Sequence, residues 1–335
     1  MSGIIIDKAI LHILDTSIEA PVLADKLMAF SPQADEFLRT HLLKAMEDAD
    51  VKKGYFIDSE EFDTEGFKTA ISNPDPNNFV ALSKQLASNI FALAVSNPAI
   101  PAADVLMCHF QYGPERYFGI LKFNYKQSYI HQFTMNDEAK ETGIIKQSTT
   151  IANENQKLEE FAFIKLDDFS ILIKEKKYEI NGTKEFYLSS KILNATTDLS
   201  PRSKVKIVEK AAEKVIKEYY GEDPLKVSQL KTELKSCVDE ERIIEIDRIT
   251  NAVFENNFSA QQRYKEEVAN KGVSAPRFEV PDEIEKTVSR KQKITTDSGI
   301  EISLPIDYLE NQKKIEFIMN EDGTMSILIK AVNIK

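Results

Sequence analysis

The sequence contains very little cysteine, since Cys108 and Cys237 are the only two in 335 residues. They lie 129 positions apart (237 minus 108), which fits neither the short ligand spacings of a zinc site nor a disulfide framework. We therefore expect two reduced thiols and no bound metal.

Long apolar runs are also missing. No window of about 18 residues is continuously apolar. The first residues, MSGIIIDKAILHIL, carry Asp7, Lys8 and His12 among the apolar positions, which excludes the apolar core of a signal peptide. These absences predict a cytoplasmic protein with no membrane partner.

The glycine motifs that cradle phosphates are a third absence. Neither G-x-x-x-x-G-K followed by Ser or Thr nor G-x-G-x-x-G occurs. We therefore expect no nucleotide hydrolysis and no dinucleotide cofactor. One weak catalytic pattern remains, because Asp168 precedes Glu175 and Lys177 in the order used by magnesium-dependent nucleases. Such a trio arises easily by chance in a chain with 29% charged residues, so we predict a protein that is not an enzyme.

Basic residues are outnumbered, and the formal net charge is −11. That balance argues at first against nucleic acid as a partner. However, residues 1–100 hold 8 basic and 15 acidic side chains (net −7), so the other 235 residues hold 35 and 39 (net −4). Because the acidity is concentrated in the N-terminal third, a basic surface can still form in the remainder.

The periodicity of the apolar residues predicts an α+β fold with a largely antiparallel sheet and N-terminal helices. IIIDKAILHIL reads as a strand, and helices are predicted to begin at Ser31-Pro32 and Asp75-Pro76. From Asp104 the period falls to two, which predicts strands at 104–112, 116–124, 127–134, 143–151, 160–173 and 185–193. Blocks of helices and strands favour α+β over a doubly wound sheet.

The C-terminal part returns to the helical period from Pro201 to about Asn270, with breaks at Gly221 and near Asp239. A hinge is predicted at 270–298, and the tail predicts three short strands, the last two joined in a hairpin by Asn320 to Gly323. We therefore expect an N-terminal domain at 1–200 and a C-terminal helical region with terminal hairpins at 201–335.

Cys108 and His109 are adjacent in VLMCHFQYGPERYFGILKFNY, which raises the question of a catalytic pair. With a hairpin in which Tyr112 faces Tyr117, Cys108 lies opposite Leu121 and His109 lies opposite Ile120. Neighbours on a strand point to opposite faces, so the two side chains cannot share a proton. Cys108 is predicted to be a buried structural thiol. A redox or metal role for Cys108, and a site role for His109 with another partner, stay open.

The aromatic residues around this hairpin allow two interpretations. The first is a sheet packed on the N-terminal helices. The second is a base-stacking platform, for which Tyr125 and Tyr129 beside Lys122 and Lys126 are suited.

The segment SPRSKVKIVEKAAEKVIKEYYG is the best candidate for a DNA-binding surface. On a helix, Val205, Val208, Ala212, Val215 and Tyr219 form one stripe, and four lysines form another about 180° away, namely Lys206, Lys210, Lys214 and Lys217. Arg202 belongs to the same segment. A row of lysines can follow phosphates along one strand. The alternative is a solvated face flanked by Glu209 and Glu218.

Two further basic clusters are candidates. Arg290, Lys291 and Lys293 lie in the predicted hinge, whereas Lys174, Lys176, Lys177 and Lys184 lie around a predicted hairpin. Either cluster can join the first surface only through folding or dimerisation.

The hairpin sequence VLMCHFQYGPERYFGILKFN resembles the corresponding strand pair of a bacterial nucleoid-associated protein family of about this length. Other stretches follow in the same order, namely IDKAILHIL, NNFVALSKQLASNIF, YYGED, KGVSAPRFEVPDE and IEISLPIDYLENQKKIEFIMNEDGTMSILI. The resemblance implies a component of the nucleoid that binds double-stranded DNA without strong sequence preference. It also implies RNA and type II topoisomerases as further partners, and it supplies no catalytic residue and no cofactor.

Together the residues and the resemblance predict a non-enzymatic, sequence-tolerant DNA-binding protein of the nucleoid that forms a homo-oligomer. The alternative is a protein-interaction adaptor, for instance to a type II topoisomerase. It would dock its partner through the sheet or the C-terminal hairpin.

Overall fold

The computed structural model describes residues 3–136, 139–151, 153–221, 223–285, 291–295, 298–305, 314–322 and 324–333. The chain divides into two compact units. The first comprises Met1–Met46 with Val51–Asp198, and the second comprises Glu47–Asp50 with Leu199–Lys335. Whether each unit folds independently stays a prediction.

The first unit combines helices with antiparallel strands, which confirms the predicted α+β class. Its helices are α1 (Pro32–Met46), α2 (Thr64–Ser72) and α3 (Pro76–Ser96). Its strands are β1 (Ile4–Leu14), β2 (Lys52–Phe56), β3 (Ala103–Tyr112), β4 (Glu115–Asn124), β5 (Lys126–Asn136), β6 (Ala139–Thr150), β7 (Glu160–Lys165), β8 (Ile171–Lys174), β9 (Tyr178–Ile180), β10 (Thr183–Glu185) and β11 (Ala195–Thr197).

Seven of these strands form one sheet in the order β1-β3-β4-β7-β8-β2-β11, and every neighbouring pair is antiparallel. The alternation along β3 divides the core between the two faces of this sheet. Val105 and Met107 belong to one apolar cluster with residues of α2 and α3. Leu106 and Cys108 belong to another with residues of α1. The sheet is therefore covered by helices on both faces.

Helix α3 starts as the sequence predicts, because the Asp75 side chain accepts a hydrogen bond from the Asn77 N–H and Pro76 occupies the first turn. By length and composition alone, this helix is apolar enough to span a membrane, with a mean hydropathy of 1.3. Its apolar side chains Phe79, Leu86 and Ile90 lie in the core of the first unit. Core packing thus accounts for its composition.

The register predicted for the central hairpin is wrong by two residues. Tyr112 pairs with Glu115, so Cys108 lies opposite Gly119 and His109 lies opposite Phe118. Gly113 has a φ of 60°, which permits a tight turn of only two residues. Because the register differs from the prediction by an even number of residues, each side chain lies on the predicted face of the sheet.

Two other predicted strands differ from the structure. The segment 160–173 is split into β7 and β8 by a turn in which Phe169 has a φ of 57°. The segment 185–193 contains a π-helical turn, Leu188–Ile192, instead of a strand. There the Ser189 N–H donates to the Glu175 carboxylate at 2.9 Å. The Ser189 N–H thus donates to a side chain instead of to a backbone carbonyl of a neighbouring strand.

The second unit is built around a helical core. Its helices are α4 (Pro201–Tyr220), α5 (Pro224–Glu241), α6 (Ile246–Val253), α7 (Phe258–Asn270) and α8 (Asp282–Glu285). Its strands are β12 (Ile243–Glu245), β13 (Arg277–Glu279), β14 (Lys291–Thr295), β15 (Glu301–Pro305), β16 (Ile315–Met319) and β17 (Met325–Ile329). The strands pair as three two-stranded ladders, β12-β13, β14-β15 and β16-β17.

The helical segment and the terminal hairpin are confirmed, but the predicted hinge at 270–298 is not a free linker where the structure describes it. Val273, Phe278, Val280 and Ile284 are buried in the helical core of the second unit. Proline and mixed charge suggested a linker, whereas these four spaced apolar residues anchor the segment.

Candidate nucleic-acid interface

Helix α4 is defined at both ends by local sequence. The Ser200 side chain accepts a hydrogen bond from the Ser203 N–H, and Pro201 fits the first turn, where no backbone donor is needed. The helix ends at Gly221, whose φ is 68°. Its buried face consists of Val205, Val208, Ala211, Ala212, Val215 and Ile216. Tyr219, which we expected in this stripe, is exposed.

The opposite face of α4 carries four exposed lysines, Lys206, Lys210, Lys214 and Lys217. We call this set the lysine ridge. It spans 12 residues from Lys206 to Lys217, and the 11 rises between them measure about 16 Å along the helix. Among the residues that the structure describes, neither Lys206 nor Lys210 forms an ion pair. The cationic groups of this part of the ridge are therefore available to an anionic ligand.

Helix α7 extends the basic surface through a shared carboxylate. Glu267, whose side chain is only 10% exposed, lies 2.9 Å from Lys214, 3.2 Å from Arg263 and 3.2 Å from Lys271. Hydrogen bonds from Lys214 and Lys271 lower the pKa of Glu267, so it stays ionised. Three cations around one carboxylate leave this cluster with a net positive charge.

Arg263 and Lys271 were missed in the sequence, although their spacing from Glu267 was a usable signal. Arg263, Glu267 and Lys271 follow each other at intervals of four residues, so they share one face of a helical turn. What the sequence could not show is that this face lies beside Lys214.

The carboxylates of α4 itself are partly engaged elsewhere. Glu209 lies 3.9 Å from Lys231 of α5, and Glu218 lies 3.5 Å from Arg263. Burial, followed by the nearby charge of Glu209, raises the pKa of Glu213. The ridge with Arg263 and Lys271 provides six basic side chains, against the three carboxylates Glu213, Glu218 and Glu267, so these residues have a formal net charge of 6 − 3 = +3.

Arg202 has a structural role within the second unit. Its guanidinium pairs with Asp50 at 3.0 Å and with Glu283, and its backbone N–H donates to the Ala49 carbonyl at 3.1 Å. These bonds hold residues 47–50 to the unit. We therefore remove Arg202 from the proposed DNA surface.

The cluster predicted at Arg290, Lys291 and Lys293 is described only in part. Arg290 lies outside the described residues. Lys291 and Lys293 occupy alternate positions of β14, opposite Pro305 and Ser303, and their side chains also lie outside the description. Their membership of a DNA surface stays a prediction.

The lysines of the first unit form scattered contacts. Lys176 pairs with Glu159 at 2.9 Å, Lys177 lies 4.9 Å from the centre of the Phe186 ring, and Lys184 is exposed on β10. Lys174 also belongs to this predicted cluster. Because at least two of its four lysines contact residues of their own unit, this cluster is a weaker candidate than the lysine ridge.

Cys108 is a buried structural thiol, as predicted. It has no exposed surface, and burial raises its pKa, which keeps the thiol protonated. His109 lies on the other face of the sheet, with ring centres 5.1 Å from Phe79 and 5.7 Å from Phe118. Burial, followed by the nearby charge of Lys8, lowers the His109 pKa to about 4. The two side chains are therefore not a nucleophile and its base.

The predicted base-stacking platform is not assembled. Lys122 is buried against Glu160 at 2.8 Å, and the Tyr125 hydroxyl donates to Asp104 at 2.7 Å. Tyr129 is the aromatic member that is exposed. The core interpretation is thus correct for most of this sequence.

The three residues of the nuclease pattern have separate structural roles. Asp168 accepts hydrogen bonds from the backbone and hydroxyl of Ser170 in a turn. Glu175 is buried and accepts from Lys52 at 2.7 Å and from the Ser189 N–H. Within the described ranges, no group of three or more His, Cys, Asp or Glu side chains is arranged to hold a metal ion. Nothing in this geometry supports the nuclease interpretation.

Comparison with protein families identifies a matching family model. The family model described as "NA37: Nucleoid-associated protein YejK" matches residues 10–335, nearly the whole chain. A search of curated proteins found no match.

Proposed function

The chain belongs to the nucleoid-associated protein family, and we propose that it binds double-stranded DNA without sequence preference and without catalysing a reaction. Family membership supports a nucleoid-associated role. The lysine ridge supports the finer proposal, because it concentrates cations on one face of a protein whose net charge is −11.

The chemistry of the ridge favours phosphate over base contacts. Lysine is a flexible point charge with no acceptor, and it lacks the planar bidentate geometry that arginine uses on guanine. A ridge about 16 Å long can contact two or three phosphates of one strand. Contacts of this kind position a protein on DNA but carry no sequence information.

The remaining partners stay proposals. The lysine ridge accepts RNA phosphates by the same chemistry, and contact with type II topoisomerases rests on the family resemblance. We also propose a cytoplasmic location, because nucleoid DNA is the partner.

The proposal is tested by replacing the four ridge lysines with glutamine. Because each lost phosphate contact removes a counterion-release contribution, we expect the affinity for duplex DNA to fall by about tenfold or more at moderate salt. The fall should be equal for two duplexes of unrelated sequence. Mobility shifts measure the affinity, and circular dichroism checks the fold.

A matched control removes the same amount of charge from the first unit outside the candidate clusters, by changing the exposed Lys26, Lys53, Lys157 and Lys191 to glutamine. This variant should bind DNA within about twofold of the unmodified protein. An equal loss in both variants would contradict a localised surface and support a diffuse charge effect.

A further inference from the structure

Strands β5 and β6 form an arm that is separate from the main sheet. They pair with each other over Lys126 to Thr150 and constitute a two-stranded sheet of their own. The arm is inserted between β4 and β7, which are direct neighbours in the main sheet. We call residues 126–150 the arm.

One face of the arm exposes large apolar side chains. Residues that oppose each other in an antiparallel pair point to the same face, and the register pairs Tyr129 with Lys146, His131 with Ile144, Phe133 with Thr142 and Met135 with Lys140. On this face Tyr129 is 72% exposed, Met135 is 69% exposed and Ile144 is 78% exposed, and Phe133 is also exposed. We call it the Phe133 face.

The opposite face is less apolar. Its large apolar side chains in the described residues are Ile130 and Ile145, which pair directly with each other. The polar residues on the same face are Ser128, Gln132, Thr134, Glu141 and Gln147. The two faces therefore offer different surfaces on one hairpin, which allows each to be tested with the other as control.

An arm of this kind needs a partner. A two-stranded hairpin is marginally stable in water by itself. The four large apolar side chains of the Phe133 face, which are 55–78% exposed, present on the order of 500–600 Å² per chain, at the upper end of the largest patch on a typical monomer. Contact between two such faces would remove about 1,000–1,200 Å² from water, which is near the lower limit of a specific interface.

The charge of the arm discriminates between possible partners. Residues 126–150 contain three lysines and three acidic residues, so the net charge is 3 − 3 = 0. DNA gains no net electrostatic attraction from such a segment. Two copies of the arm do not repel each other either, although the whole chain carries a charge of −11. The Phe133 face itself carries Lys140 and Lys146 and no carboxylate among the described residues. Two copies must therefore meet through its apolar centre, as a two-fold symmetric interface allows, with both lysines kept in water.

We propose that the Phe133 face is a dimerisation surface whose occupant is the Phe133 face of a second copy of this chain. Phe133 and Ile144 lie at its centre. Lys140 and Lys146 lie towards its two ends, where lysine stems cover apolar surface and the ammonium groups stay in water, as at the polar rim of an interface. If the proposed DNA function also holds, each dimer presents two lysine ridges.

Sedimentation velocity of the full chain without DNA tests this proposal independently of DNA binding. The chain has a mass of 38.0 kDa, so we expect a species of 2 × 38.0 = 76.0 kDa. Phe133→Ser with Ile144→Ser should weaken the dimer by tenfold or more, because central apolar residues dominate interface energies. The variant should keep its melting temperature when monomeric, since the main sheet does not include the arm.

Two control variants locate the effect. Phe258→Ser removes a ring that is 83% exposed in the second unit and should leave the dimer intact. Ile130→Ser with Ile145→Ser alters the opposite face of the arm and should also leave it intact. A further variant, in which residues 127–149 are replaced by Gly-Ser-Gly, should be a folded monomer because β4 and β7 are already paired.

Three results would overturn the proposal. The unmodified chain could be monomeric at tens of micromolar, the arm-deleted chain could remain dimeric, or the opposite-face variant could be the one that dissociates. A monomeric wild type whose DNA binding depends on Phe133 and Ile144 would instead assign this face to DNA. In the Phe133→Ser with Ile144→Ser variant, loss of DNA binding with an intact dimer would also overturn the proposal and assign this face to DNA.

Discussion

At the residue scale, the packing around Gly119 in the middle of β4 leaves no room for a side chain. A Cβ atom at Gly119 would lie 3.0 Å from Cys108 Sγ, 3.2 Å from Phe110 Cε1 and 3.3 Å from Phe163 Cδ1. Each distance is shorter than an ordinary carbon contact. Glycine is therefore required here by its neighbours and not by its backbone conformation.

This packing predicts that Gly119→Ala and Cys108→Ala are coupled. Gly119→Ala should cost about 1–3 kcal/mol through overpacking, and Cys108→Ala should cost about 1–2 kcal/mol through lost burial. The double variant should cost clearly less than the sum, because removal of Sγ makes room for the new methyl group. Urea unfolding measures all three free energies.

Gly143 provides the matched control for this cycle. It also lies in a strand, but a Cβ atom there would have nothing within 4 Å. Gly143→Ala should change the free energy of unfolding by less than about 0.5 kcal/mol. Strict additivity of Gly119→Ala and Cys108→Ala would contradict the proposed contact, and DNA binding should be the same in every variant.

Two buried histidines predict a dependence of stability on pH. His12 accepts from the Ala24 N–H at Nδ1 and lies 3.0 Å from the Ser83 hydroxyl at Nε2. Burial, followed by the charge of Lys84, lowers its pKa to about 4, and the pKa of His109 is lowered to a similar value. Both are neutral in the folded protein above that pH.

Because the unfolded chain binds these protons near pH 6.5 and the folded chain only near pH 4, stability is complete above pH 6.5 and is lost as the pH falls towards 4. Each histidine should contribute on the order of 1 kcal/mol of this loss. Urea unfolding at pH 7 and pH 5 measures it. His109→Phe should reduce the change in the free energy of unfolding between pH 7 and pH 5 by about half. If this change stays the same, His109 is not a titrating group.

At the element scale, periodicity predicted most of the helices and strands, and local chemistry decided the exceptions. The alternation of β3 places Cys108 and His109 on the correct faces. The tight turn at Gly113 and the split of 160–173 at Phe169 both depend on residues with positive φ, which periodicity does not detect. The arm was predicted as two strands, but nothing in their alternation showed that they would leave the main sheet.

The candidate site was predictable only on its own helix. The lysine ridge follows from the spacing of four lysines on α4, because residues on one helix face are fixed by its period. The contributions of Arg263 and Lys271, and the engagement of Arg202 by Asp50 and Glu283, depend on contacts between elements distant in sequence. The sequence left the role of Lys122 open for the same reason, since its partner Glu160 lies on another strand.

The contact between α4 and α7 predicts a gain of binding. Glu267→Gln removes one negative charge from the basic surface and releases Lys214, Arg263 and Lys271 from its carboxylate. The affinity for DNA should therefore rise by about threefold at low salt, with a smaller rise at high salt where charges are screened. Mobility shifts at two salt concentrations measure the change.

Glu266→Gln is the control for this substitution, because Glu266 is exposed on the same helix and forms no ion pair in the described residues. It should alter the affinity less than Glu267→Gln. Weaker DNA binding by a folded Glu267→Gln protein would contradict the expected gain and would mean that Glu267 positions the three cations.

At the scale of the whole molecule, a protein with a net negative charge is proposed to bind negatively charged DNA. The net charge is −11, although residues 199–335 carry 23 basic and 25 acidic side chains, a net of only −2. At physiological salt the Debye length is about 8 Å, so the repulsion between DNA and the acidic remainder of the chain is largely screened at greater distances, and the charges close to the bound DNA decide the affinity. Binding should accordingly be modest in affinity and steeply dependent on salt.

The slope of log K against log salt concentration tests the central claim most directly. For the folded variant with glutamine at Lys206, Lys210, Lys214 and Lys217, we expect the magnitude of this slope to fall by about 2–3 relative to the unmodified chain, because two or three phosphate contacts are lost. The control with glutamine at Lys26, Lys53, Lys157 and Lys191 should keep the original slope. An unchanged slope and affinity in the folded ridge variant would contradict the claim that helix α4 binds DNA.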